Sequence, residues 1–242
     1  MTTHKPRLRL ALAAAVLATA LPAFAGVFSV TPVRIFMTPR DRVIAVTITN
    51  EGDTEVALQA DISTWTQKPD GTDELTLTED MILSPPIIRL APRARQVVRL
   101  AMLKPADASR QLTYRMVMRE VPEATTPKSD TMEVPVSLAL SMPVFLTPPP
   151  AKREVSCKAA RGDAQAVQAI CTNSGTAYAQ FREITLRRAD AVLARFEGGN
   201  YVLPGISKSI ALKSDKPVAA GPAQMNVVFD DGKNETYSVT LP

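Results

Sequence analysis

Hydrophobic residues alternate with small or polar residues along a segment near the middle of the chain. The apolar members occupy every second position: Val134, Val136, Leu138, Leu140, Met142 and Val144. Because side chains of a β-strand point alternately to its two faces, this period predicts one long strand with an apolar face. Most strands need only about five or six residues. We therefore weigh two roles for the segment: a core strand of its own domain, and a strand that completes the fold of another protein.

The remainder of the chain after residue 26 also follows strand-like patterns. Predicted strands in the first half cover residues 27–36, 43–50, 56–64, 87–90, 96–101 and 112–120. In the second half they cover residues 167–172, 177–186, 192–196, 207–212, 224–229 and 235–241. Turn-forming residues separate them, with hairpin turns expected at 198–200 and 230–232. Short strands with regular turns favour an all-β fold of the β-sandwich type.

Consecutive prolines divide this β-rich chain in two. The sequence Thr147-Pro148-Pro149-Pro150 cannot form a central strand, and it is typical of a stiff connector. We predict one domain over residues 26–147 and a second over 148–242. Thr49-Asn50-Glu51-Gly52 is echoed by Thr172-Asn173-Ser174-Gly175. The echo favours two similar domains, although a match of this length also arises by chance.

The first 25 residues have the pattern of an export signal. Three basic residues precede an apolar run, and Ala23-Phe24-Ala25 has the form of a cleavage site. The run is short for a membrane span, so we expect a cleaved, exported chain without stable membrane insertion. Of the 28 Lys and Arg residues, three lie in this signal and none of the 24 Asp and Glu do, so the mature chain is nearly neutral. Such a balance disfavours nucleic-acid binding.

The composition also disfavours catalysis. His4 is the chain's one histidine, and it lies in the signal segment. The mature chain therefore lacks the residue on which Ser-His and Cys-His nucleophiles and many zinc sites depend. We expect no enzyme activity, no catalytic residue, no metal and no cofactor.

Cys157 and Cys171 are the only cysteines in the sequence. An even count in an exported chain favours a structural disulfide, worth about 3 kcal/mol for a loop of about 15 residues. A reactive dithiol is the alternative, but the pair lacks C-x-x-C spacing and a histidine that would lower a thiol pKa.

A series of motifs in the first half resembles a known family. In order, they are residues 29–36 (Ser-Val-Thr-Pro-Val-Arg-Ile-Phe), 46–52, 65–67 (Trp-Thr-Gln), 84–92, 96–100, 114–122 and 143–145. The series resembles the PapD-like periplasmic chaperones of chaperone–usher pilus assembly, closer to the archaic branch than to the classical one. The resemblance implies two immunoglobulin-like β-sandwiches set at an angle. It also implies a periplasmic chaperone that binds pilus or fimbrial subunits and delivers them to an outer-membrane usher.

The resemblance also assigns roles to residues. By donor-strand complementation, Val134, Val136, Leu138 and Leu140 would insert into the open groove of a subunit. Arg34 matches the family arginine that binds the subunit's C-terminal carboxylate, the alternative being a solvated or internally paired arginine. The family's second anchor is a lysine, and Pro143 occupies its place here. Either another cation helps, or Arg34 acts alone, or the carboxylate is held elsewhere. Among Arg89, Arg115 and Arg119, we rank Arg115 first as the substitute cation.

Further expectations concern an edge, a loop, the assembly state and the alternative function. Pro85 and Pro86 would shape an edge that contacts the usher, or simply form a loop. Residues 123–130 would form a loop that orders when the donor strand engages a subunit. Exposed strand residues make a self-capping oligomer of the free protein plausible. The alternative function is a structural or adhesive surface protein built from two sandwich modules.

Overall fold

The computed structural model describes residues 28–121, 137–162 and 166–242. The described residues form seventeen β-strands and no helix, so none of them supplies a helix suited to crossing a membrane. The predicted export signal, the loop at 123–130, and Val134 and Val136 lie outside the described residues.

The first ten strands form two facing sheets. Their bounds are β1 Phe28–Thr31, β2 Ile35–Met37, β3 Val43–Asn50, β4 Val56–Gln67, β5 Asp73–Leu77, β6 Met81–Ser84, β7 Ile87–Leu90, β8 Arg95–Met102, β9 Leu112–Glu120 and β10 Ala139–Leu146. One sheet has the order β1-β3-β8-β6, and the other has the order β2-β10-β9-β4-β5 with β7 also beside β4. Alternate side chains of both sheets meet in one apolar core, as expected for a sandwich.

The last seven strands form a second sandwich. They are β11 Val155–Arg161, β12 Val167–Asn173, β13 Ala179–Arg188, β14 Ala191–Val202, β15 Ser207–Leu212, β16 Gly221–Phe229 and β17 Asn234–Leu241. The sheets have the orders β11-β12-β15 and β14-β13-β16-β17, and a separate apolar core lies between them. The all-β prediction with two sandwiches is confirmed.

Two local predictions are wrong. The run 27–36 is not one strand, because the chain breaks after Thr31 and continues in the other sheet as β2. The expected turn at 198–200 lies inside β14, which continues to Val202. Gly198 serves packing there, since a Cβ would lie 2.7 Å from Cζ of Phe196, and the pairing with β13 shifts register nearby.

The sequence echo corresponds to a repeated structural feature. Asn50 and Asn173 are fully buried at the ends of β3 and β12. Each side-chain amide donates to the carbonyl four residues later, Thr54 at 2.7 Å and Ala177 at 2.8 Å. Each also accepts from the glycine amide two residues later. In both sandwiches, therefore, a buried asparagine at the end of the corresponding strand hydrogen-bonds the backbone of the loop that follows.

The disulfide prediction is confirmed. Cys157 and Cys171 are direct cross-strand partners on β11 and β12, and their sulfurs are bonded. Cys171 belongs to the core of the second sandwich, so the bridge ties an edge strand to a central one.

Removing either buried asparagine should destabilise its sandwich. We expect Asn50→Ala and Asn173→Ala each to lower the free energy of unfolding by about 2–4 kcal/mol, because several buried backbone groups lose their partner. Asn226→Ala is the control, since this residue accepts one long hydrogen bond of 3.3 Å from Thr236. Urea unfolding measures this free energy. Equal losses of stability in Asn173→Ala and Asn226→Ala would contradict a structural role for the buried asparagine.

Candidate functional site

An aromatic cluster joins the two sandwiches. Trp65 on β4 and Phe145 on β10 pack against Leu203, Tyr178 and Tyr201 of the second sandwich. The Phe145 ring stacks on Tyr178 with centroids 4.0 Å apart, and Trp65 meets Tyr201 edge-on at 5.2 Å. Trp65 is almost fully buried, and its burial serves the junction of the two sandwiches. Such packing favours one relative placement of the two domains.

Two buried glutamines add polar contacts to this junction. Gln67, at the end of β4, accepts from the Leu203 amide at 2.9 Å and donates to the Tyr201 carbonyl at 3.1 Å. Gln111, just before β9, accepts from the Tyr178 amide at 3.0 Å and donates to the Thr147 hydroxyl at 2.7 Å. Each glutamine side chain thus hydrogen-bonds backbone groups of the other sandwich, in the way that a peptide group of a neighbouring strand would.

Arg34, Pro143 and Arg115 lie at one level of the six-stranded sheet. Pro143 is the direct partner of Arg115 on β9. Arg34 precedes Ile35 as Pro143 precedes Val144, and those two residues are partners between β2 and β10. With strands about 4.8 Å apart, the two arginine backbones flank Pro143 at about 10 Å from each other.

Both arginines belong to the face that looks toward the second sandwich. Tyr114, Met116 and Val144 point into the first core, so Arg115 and Pro143 face the opposite way. Residues distant in sequence therefore bring two cations to either side of Pro143. The structure brings the predicted anchor residues together, and their role in binding a carboxylate stays a prediction.

Arg34 is paired across the junction. Its Nη1 donates to Oδ2 of Asp230 at 2.9 Å and to Oε1 of Gln180 at 3.0 Å. The arginine side chain is 40% exposed, whereas that of Asp230 is 12% exposed. Nη1 donates both bonds, so the other N–H groups of the planar guanidinium can still donate to a further acceptor.

Asp230 has a second partner in Tyr178. The phenol donates to Oδ2 of Asp230 at 2.9 Å. Burial, followed by the Asp230 charge, raises the pKa of the Tyr178 phenol, while Arg34 opposes this rise. Tyr178 therefore remains a proton donor, and it holds the carboxylate against Arg34.

Arg115 is the more buried of the two cations. Its side chain is 14% exposed, and its guanidinium carbon lies 3.8 Å from the Trp65 ring centroid. Oδ2 of Asp73 on β5 is 3.9 Å away, a loose ion pair. Burial lowers the pKa of the Arg115 guanidinium, while Asp73 opposes this, and arginine remains charged at physiological pH. Arg115 is thus a fixed positive charge on an aromatic wall.

Sequence reasoning missed the acidic partners of these arginines. The 230–232 hairpin turn is confirmed between β16 and β17, where Gly232 has φ of +81°. Its Asp230, however, also reaches Arg34, which is distant by 196 residues. The only sequence signal was an acidic pair in a turn, which hairpin chemistry explains equally well.

Strand β10 has an open backbone edge within the described residues. One side pairs with β9 from Ala139 to Leu146, but β2 covers the other side only from Val144 to Leu146. The Glu120 amide donates to the Leu138 carbonyl toward β9, and the Thr147 amide donates to the Met37 carbonyl toward β2. Since backbone groups alternate in direction, those of Ala139, Ser141 and Pro143 face the open side.

The apolar row of β10 runs from the core to this edge. Met142 and Val144 are buried in the first core, while Leu138 and Leu140 are partly buried against it. Of the two roles weighed for this segment, that of a core strand of its own domain is observed at these two buried positions. The role of Leu138 and Leu140 toward a subunit stays a prediction.

The Pro85-Pro86 pair lies where the chain changes sheets. It separates β6, which pairs with β8, from β7, which pairs with β4. The Pro86 carbonyl accepts a hydrogen bond from the Ala60 amide at 2.9 Å, so this bend is anchored to the sheet. Contact of this bend with an usher stays a prediction.

Sequence comparison identifies the first half of the chain. Residues 27–152, a little more than half of the chain, match the sequence model of the family described as "Pili and flagellar-assembly chaperone, PapD N-terminal domain". No curated protein sequence matches the chain significantly.

Solved chaperone structures share the fold. The chaperone–tip adhesin complex CsuC–CsuE, from archaic Csu pili of Acinetobacter baumannii, matches with a TM-score of 0.66 and 18% identity, over 90% of this chain and 100% of that chain. The Salmonella enterica SafA pilin complex with the SafB chaperone matches with 0.59 and 15%, over 90% and 98%. The Pseudomonas aeruginosa chaperone CupB2 matches with 0.56 and 19%, over 88% and 100%. At these identities the likeness shows a shared two-domain fold.

Gln67 should be required to hold the junction closed. We expect Gln67→Ala to raise amide exchange at Leu203 about 5- to 150-fold, because the loss of a buried partner costs about 1–3 kcal/mol. Gln59→Ala, on the same strand but with one long contact to Asp61, serves as the control. Hydrogen exchange followed by NMR measures this, and unchanged protection of Leu203 would rule out the contribution of Gln67.

Proposed function

The chain belongs to the PapD-like family of pilus and flagellar-assembly chaperones, and we propose that it stabilises pilus subunits in the periplasm and delivers them to an outer-membrane usher. The open edge of β10 is the observation that carries this proposal. It offers backbone donors and acceptors beside a row of apolar side chains, which are the two components of β-strand addition. A subunit lacking a strand would gain both at once.

The direction of the added strand follows from the anchor. A subunit strand whose C-terminal carboxylate reaches Arg34 ends at the level of Pro143. To lie along residues 139–143, it must come from the Leu138 end, and so it runs parallel to β10. The strand would stop where β2 takes over the same edge, and β2 also runs parallel to β10.

The apolar row supplies the energy of this contact. Leu138 and Leu140 already touch the first core from the open end of the sandwich. A subunit groove would cover their remaining surface and extend the row through Val134 and Val136. Burying such a side chain fully is worth about 1.5–3 kcal/mol before the costs of association.

The carboxylate site supplies register. A one-residue slip would turn every side chain of the subunit strand to the wrong face. Arg34 fixes where the strand ends, and a guanidinium can bind a carboxylate through two parallel hydrogen bonds. Arg115, whose backbone flanks Pro143 from the other side, provides the second positive charge in place of the family lysine.

The remaining steps need no catalysis. Release occurs when the N-terminal strand of the next subunit replaces the chaperone strand at the usher, with Pro85 and Pro86 at the contact edge. Better packing in the polymer drives the exchange, so we assign no enzyme activity or cofactor to the chain. The export signal predicted over residues 1–25 supports a periplasmic location of the mature chain.

Loss of the Arg34 charge should weaken subunit binding. We expect Arg34→Ala to reduce recovery of a copurifying subunit about 10- to 100-fold, because charged hydrogen bonds are worth about 1.5–3 kcal/mol. Tagged protein is recovered from its native periplasm, and mass spectrometry quantifies its partners. Arg93→Ala is the control, since Arg93 pairs with Asp53 at 2.8 Å on a distant turn. An unchanged complex in Arg34→Ala would reject this anchor.

A charge in the apolar row should abolish the same complex. We expect Leu138→Asp to remove the subunit entirely, since an unpaired carboxylate cannot enter an apolar groove. Leu77→Asp is the matched control, because Leu77 is 74% exposed on edge strand β5. Circular dichroism checks that both variants fold. Recovery of the wild-type protein without any partner would instead favour a structural or adhesive module.

A further inference from the structure

The proposed carboxylate site already contains a carboxylate. Asp230 belongs to the second sandwich, at the turn that follows β16. Its Oδ2 atom accepts from Arg34 Nη1 and from the Tyr178 hydroxyl, each at 2.9 Å. The geometry at Arg34 is therefore that of an arginine–carboxylate pair made within one chain.

The charges of the two arginine pairs sum to zero. The cations are Arg34 and Arg115, and the anions that pair with them are Asp230 and Asp73. The neighbouring Asp231 is engaged separately, with Arg153 at 3.0 Å and Lys233 at 3.8 Å. A subunit carboxylate would therefore leave the two arginines with three carboxylates as partners, one of them the 12% exposed Asp230.

We propose that Asp230 is an internal competitor that sets how tightly the subunit carboxylate binds to Arg34. This inference rests on the function proposed above and concerns the same site. In the free protein, Asp230 occupies Nη1 and neutralises the guanidinium. An incoming carboxylate must either displace Asp230 or share the guanidinium with it at a distance where like charges repel.

Competition fits the positions of the two residues better than simple support does. Arg34 is far more exposed than Asp230, so a ligand approaches the arginine from the open side. Gln180 also accepts from Nη1, at 3.0 Å, and orients the guanidinium without adding charge. The side chain that orients Arg34 and the side chain that neutralises it are therefore different residues.

This arrangement gives the site a controlled affinity. A chaperone must release its client, and a site with uncompensated positive charge would retain the carboxylate. When the subunit strand leaves, Asp230 pairs with Arg34 again. Because Asp230 lies on the second sandwich, the same exchange makes and breaks one contact between the domains.

The test compares Asp230→Asn with wild type. Asparagine keeps an oxygen that can accept from Arg34 and Tyr178, so it removes charge with little change of shape. The probe is a fluorescent peptide of the last 20 or so residues of the copurifying subunit, prepared with a free carboxylate and with a C-terminal amide. Fluorescence anisotropy gives both dissociation constants, and thermal unfolding checks the fold. Asp231→Asn is the matched control.

We expect Asp230→Asn to bind the free-acid peptide about five- to tenfold more tightly, as expected when one like charge is removed at this distance. The amidated peptide and the Asp231→Asn variant should show no such gain. Equal or weaker binding of the free acid by Asp230→Asn would overturn the inference and make Asp230 a supporting residue. If wild type binds the acid and the amide equally, the carboxylate anchor itself fails. If no subunit copurifies, the proposed function fails, and this inference fails with it.

Discussion

Strand β10 is the element on which the other parts of the molecule depend, because its two faces serve two different sandwiches. Met142 and Val144 point into the first core, while Phe145 points into the aromatic cluster that contacts the second sandwich. Among the described residues, its backbone pairs with β9 along one side and has no partner along most of the other. A shift of this strand by one residue would exchange these faces, which places core, junction and open edge under one register.

Proline at position 143 is compatible with this arrangement for a simple reason. The backbone groups of Leu138 face β9, so those of the odd-numbered residues face away from it. Pro143 lacks an N–H group. Because an N–H group at this position would point to the open side, the pairing with β9 loses no hydrogen bond. Proline at this position therefore leaves the open edge with one donor fewer and contributes no charge of its own. The neighbouring strands place Arg115 and Arg34 on either side.

The sequence predicts a strand well where one of its faces is buried. It predicts strand boundaries poorly where contacts with distant residues determine them. Period-two alternation identified the run that ends in β10, and turn residues identified the hairpin at 230–232. The break between β1 and β2 was missed, because both segments alternate and only their sheets differ. The glycines inside β14 suggested a turn, although Gly198 instead makes room for Phe196.

The candidate site shows the same limit. Arg34 was found through resemblance to a family motif, and Arg115 through its place on the preceding strand. Asp230 and Gln180 could not be predicted from local pattern, since each meets Arg34 only through the packing of two separate domains.

The junction between the domains explains why a site of this kind can be precise. Gln67 and Gln111 each satisfy buried backbone groups across the junction, and aromatic rings fill the space between them. A loose junction would let Asp230 move away from Arg34 and leave the cation uncompensated. With the junction fixed, Asp230 stays within hydrogen-bond distance of Arg34, while the pairing of β2 with β10 sets the distance from Arg34 to the open edge. The six residues from Leu138 to Pro143, at the level of Arg34, span about 17 Å. Under the proposed function, the first sandwich thus sets the length of strand that a subunit presents, and the junction sets the charge that its carboxylate meets at Arg34.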